Sequence, residues 1–72
     1  MEKHELEMLI KDLKNYKYVL GEMELRVFVK MLKKDGVNFD ENPKEVERLY
    51  NNEINRLNTD IAKLEADLIN LY

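Results

Sequence analysis

Two sets of apolar residues, one in each half of the chain, recur at alternating spacings of three and four and would face each other if the chain folded back on itself. Leu6, Leu9, Leu13, Tyr16, Leu20, Met23 and Val27 would meet Leu71, Leu68, Leu64, Ile61, Leu57, Ile54 and Tyr50, and the numbers of every facing pair sum to 77. The layer beyond sets Lys30 against Glu47. Such spacing is the signature of helices that pack along a seam. It predicts an all-α fold: an antiparallel two-helix hairpin, coiled-coil-like, that dimerises into a helical bundle.

With 72 residues the chain has room for one domain, spanning residues 1–72. A lone hairpin of this size buries too little surface to be comfortably stable. Ordering each residue costs about 1–2 kcal/mol, and a well-buried Leu or Ile returns about 1.5–3 kcal/mol. The seam residues therefore cannot clearly outweigh the helical backbone they must order, and a partner is expected.

The local signals place one helix over residues 2–34, a turn over 35–42 and a second helix over 43–72. Glu2, Glu5 and Glu7 open the first helix and Lys30, Lys33 and Lys34 close it, the order favoured by the helix dipole. Gly36 suits the left-handed position that ends a helix. Asn42, Pro43 and Glu45 make the sharpest boundary: a cap, a proline in the first turn, and a carboxylate able to reach back to the cap. Gly21 interrupts the first helical pattern and could split it into helices near 2–20 and 22–34. Leu20, Met23 and Val27 keep the heptad phase across it, so a continuous helix is expected, with a slight kink or a close approach by another backbone at the glycine. In this register Arg26 would flank Glu53, and Asp12 would lie near Asp67.

One seam does not account for all the hydrophobic residues. The segment LRVFVKML, from Leu25 to Leu32, is apolar well beyond the stripe a single partner helix can cover. Leu25, Phe28, Val29, Leu32, Val37, Phe39 and Leu49 therefore form a candidate protein-binding face near the turn. Val37 and Phe39 folding over that end as a local cap, self-association through the face, and capture of a different protein are the three uses open to it. Met8, Ile10, Ile69 and Tyr72 form a weaker second group at the far end.

Recognisable catalytic chemistry is lacking. There is no Cys and no Ser, and the lone His4 falls in the first helical turn, where a solvated side chain is expected. The turn DGVNFDEN has its glycine in the wrong place for a calcium loop. No enzyme, cofactor or metal site is predicted. The formal charge of -3 and a pI near 5.1 disfavour a general nucleic-acid binder. The N-terminus lacks the pattern of a signal peptide and no stretch has the length of a membrane span, so a cytoplasmic, membrane-free protein is expected.

The function these features point to is a non-enzymatic interaction module: a small self-associating regulator, adaptor or inhibitor that binds another protein through the turn-end face. The alternative is a dimeric helical hairpin that binds nucleic acid through Arg26, Lys30, Lys33, Lys34, Lys44 and Arg48. It resembles the plasmid RNA-regulating hairpin proteins in topology alone, and acids interleave with those cations.

Overall fold

In a computed structural model, residues 2–71 are described, and they form three helices that pack together: α1 (Lys3–Glu22), α2 (Leu25–Lys34) and α3 (Pro43–Ile69). No strand occurs among the described residues. The molecule is long and thin, 46 × 21 × 17 Å. α3 runs back along α1, with Lys14 reaching Glu65 at 3.6 Å and the Tyr50 hydroxyl reaching the Leu20 carbonyl at 2.9 Å. Leu20 and Leu57, a facing pair of the expected seam, lie in one buried cluster with Phe28 and Val46.

The first helix is not continuous. Met23 and Glu24 are both extended (ψ 135° and 148°), which separates α1 from α2. Continuing the helix through them would add a few hydrogen bonds worth about 0.5–1.5 kcal/mol net each. Breaking it instead lets α2 turn so that Phe28 enters the core and Val29 and Leu32 pack against it, and burying a side chain such as Phe28 is worth about 1.5–3 kcal/mol. Local satisfaction lowers the cost of the break further. The Leu20 carbonyl accepts both the Met23 amide and the Tyr50 hydroxyl, and the Glu24 carbonyl takes the Val27 and Phe28 amides. Gly21 stays helical, with open space where a Cβ would be, so no backbone approaches it.

The face that α1 turns towards α3 is also rotated from the expected seam. The buried or half-buried positions are Leu6, Ile10, Leu13, Lys17 and Leu20, whereas Leu9 and Tyr16 are exposed on its edge. Leu6, Leu13 and Leu20 belong to both patterns; what differs is the flank beside them. The Tyr16 flank faces α2, where its hydroxyl lies 3.8 Å from the Met31 sulfur. Lys17 fills the other flank, where its aliphatic stem can cover apolar surface.

The connection between α2 and α3 runs over residues 35–42. Gly36 is left-handed (φ 77°), the Val37 amide bonds the Leu32 carbonyl, and the Gly36 amide bonds the Lys33 carbonyl. These two bonds are the glycine-terminated motif that satisfies the last carbonyls of a helix. Across the turn, the Asn42 side chain accepts the Lys44 amide at 2.9 Å, with Pro43 opening α3. Glu45 does not reach back to the cap. It pairs with Arg48, and the Asn42 amide donates to Asp40 instead, at 3.1 Å. α3 ends at Ile69, with Asn70 and Leu71 in a turn; Tyr72 lies outside the described residues.

Candidate functional site

The seven residues of the expected turn-end face have different fates. Phe28 is 1% exposed and belongs to the core, its ring edge-on to Tyr50 with centroids 5.4 Å apart. It is not a surface anchor. Val29, Leu32, Phe39 and Leu49 are half-buried and pack against the same cluster. Only Leu25 and Val37, each 43% exposed, remain at the surface. The excess of apolar residues in LRVFVKML is thus largely absorbed by the chain itself, because the break after α1 gives α2 a second face of α3 to cover.

Exposed apolar surface lies instead on α1, on α2 and, with Ile69 and Leu71, at the end of α3. Leu9, Tyr16 and Val19 stand on the edge beside α2, with Val27 on α2 and Met8 and Tyr18 further round. Val19 and Tyr18 were not marked by the heptad pattern, since each falls outside it. Their only sequence signal is hydrophobicity on a helix already supplied with a full seam.

Two hollows follow one another along this edge. The first is lined by Tyr16, Met31, Leu32, Val37, Leu49 and Arg56, among others, and α2 forms one wall. Burial, with the Glu53 carboxylate as a second cause, pushes the Tyr16 hydroxyl above its ordinary value of 10.0. The second hollow, lined by Leu9, Leu13, Asp60, Lys63, Leu64 and Asp67, has no part of α2 in its walls. On the opposite edge, Lys14 and Glu65 bridge α1 and α3 between hollows floored by Ile10, Ile61 and Ala62.

Charge is unevenly placed. α2 contains Arg26, Lys30, Lys33 and Lys34 and no acid. Arg26 pairs with Glu24, not with Glu53, which is held by Arg56; Lys33 pairs with Glu41. Among the described residues, no ion pair holds Lys30 to Glu47, and none holds Lys34. The hydrogen bond from Arg48 holds the Glu45 carboxyl below its usual range.

Nothing in the geometry assembles a reactive centre among the described residues. His4 is exposed, no group of His, Cys, Asp or Glu is placed to hold a metal ion, and no polar side chain is buried without a partner. Among the described residues, no helix is long and apolar enough to cross a membrane. No family model, curated protein or solved structure matches the chain.

Proposed function

We propose that the chain is a non-enzymatic protein–protein interaction module, a small self-associating regulator, adaptor or inhibitor acting in the cytoplasm. The observation that carries this is the exposed apolar surface that remains after the chain has packed its own core: Leu9, Tyr16 and Val19 on α1, Val27 and Leu25 on α2 and Val37 at the turn. Exposed apolar side chains of this kind serve association. The turn-end face is thereby narrowed to Leu25 and Val37, and α1 adds Leu9, Tyr16 and Val19 to the docking surface.

A photo-crosslinking side chain placed singly at Val19, Leu25 or Val37 in the native host tests this. Adducts with other proteins are expected from these positions and not from Thr59 or Asn55 on the exposed polar side of α3. Equal labelling from both sets would overturn it. Nucleic-acid binding is the weaker alternative, because Arg26, Lys33 and Arg48, half of its six candidate cations, are already tied to acids. Retention on heparin at low salt would revive it.

A further inference from the structure

We infer that the second hollow, between Leu9 and Leu64, receives α2 of another copy of this chain, so that two subunits pair about a two-fold axis. The inference rests on the interaction-module function above and names its first partner.

α2 has 10 residues and α1 has 20. Of the two hollows along this edge, α2 walls only the one where Tyr16 meets Met31. The second hollow, with its apolar floor of Leu9, Leu13 and Leu64, has none of α2 in its lining.

The charges of the two surfaces are opposite. By helical spacing, the side of α2 away from Phe28 carries Lys30 and Lys34, with Val27 at its edge and 42% exposed. Asp60 and Asp67 line the hollow, with Lys63 between them, and helical spacing sets Asp12 beside Leu9 and Tyr16 on its other rim. Asp60 has Arg56 as an exposed partner, while no ion pair among the described residues holds Asp12 or Asp67. Rim acids on both sides of an apolar floor are met by a helix whose outward lysines lay their stems on that floor and send their ammonium groups to the rim.

A two-fold axis uses this contact twice. Each subunit offers one α2 and one hollow, so the pair closes with no contact left open for a third copy.

Charge reversal tests the pairing. The full chain is expected to sediment as a dimer at micromolar concentration, more weakly as salt rises. Lys30→Glu with Lys34→Glu, and separately Asp60→Lys with Asp67→Lys, are each expected to give monomers that keep their helical circular dichroism. An equimolar mixture of the two is expected to restore the dimer, because in a mixed pair both contacts are again complementary. Leu9→Asp, at an exposed position, is a second route to a folded monomer. A monomeric wild type, a dimer that both charge-reversed variants retain, or a mixture that stays monomeric would each overturn the inference. Adducts with other proteins from Val19 or Leu25 would survive that outcome, so its failure is distinguishable from failure of the interaction-module function.

Discussion

Phe28 shares its cluster with Leu20, Val46 and Leu57, and Tyr50 lies edge-on to its ring while donating its hydroxyl to the carbonyl that ends α1. The ring therefore joins all three helices. Phe28→Ala is expected to cost about 3–5 kcal/mol, enough to unfold much of a small domain in water. Leu25→Ala, three residues earlier and 43% exposed, is expected to change stability by no more than about 0.5 kcal/mol. Urea titration of the two variants checks the contrast, and equal losses would mean that α2 is not seated as described. Hydrophobicity alone does not separate these two residues in the sequence, since both belong to the same apolar run.

The two glycines make opposite demands on their elements. Gly21 lies in the last turn of α1 with helical geometry and open space around it, so Gly21→Ala is expected to raise stability by about 0.5–1 kcal/mol through a less disordered unfolded chain. Gly36 sits at φ 77°. A side chain there is expected to cost about 1–2 kcal/mol. Thermal midpoints of the two alanine variants should move in opposite directions. The end of α2 and the start of α3 were legible because each depends on neighbours within a few residues: Gly36 with Val37 and Leu32, Asn42 with Lys44. The break at Met23 and Glu24 was not, for its stabilisation comes from α3, whose packing residues lie more than twenty positions away.

As a whole the molecule is a rod 46 Å long with few buried side chains: Leu6, Ile10, Leu20, Phe28, Val46, Leu57 and Ile61. So small a core leaves stability marginal for one copy. The pairing inferred above would add stability by mass action. The thermal midpoint is therefore expected to fall on a roughly hundred-fold dilution, measured by circular dichroism or intrinsic tyrosine fluorescence. A midpoint independent of concentration would mean that the single chain is sufficient. The candidate site was only partly legible at this scale. The excess of apolar residues was visible in the composition of LRVFVKML, but which of them stay at the surface depends on how α2 lies against α3.

The sequence by itself determined the helical class and the local boundaries at Gly36 and at Asn42 and Pro43, because glycine geometry and capping act over one or two helical turns. Tertiary structure alone decided that the first helix divides, that Ile10 and Lys17 join Leu6, Leu13 and Leu20 in the face buried or half-buried against α3 while Leu9 and Tyr16 stay at its exposed margin, and that Phe28 is interior. Those outcomes turn on competition for the same buried space, which is resolved only when all three helices are packed together.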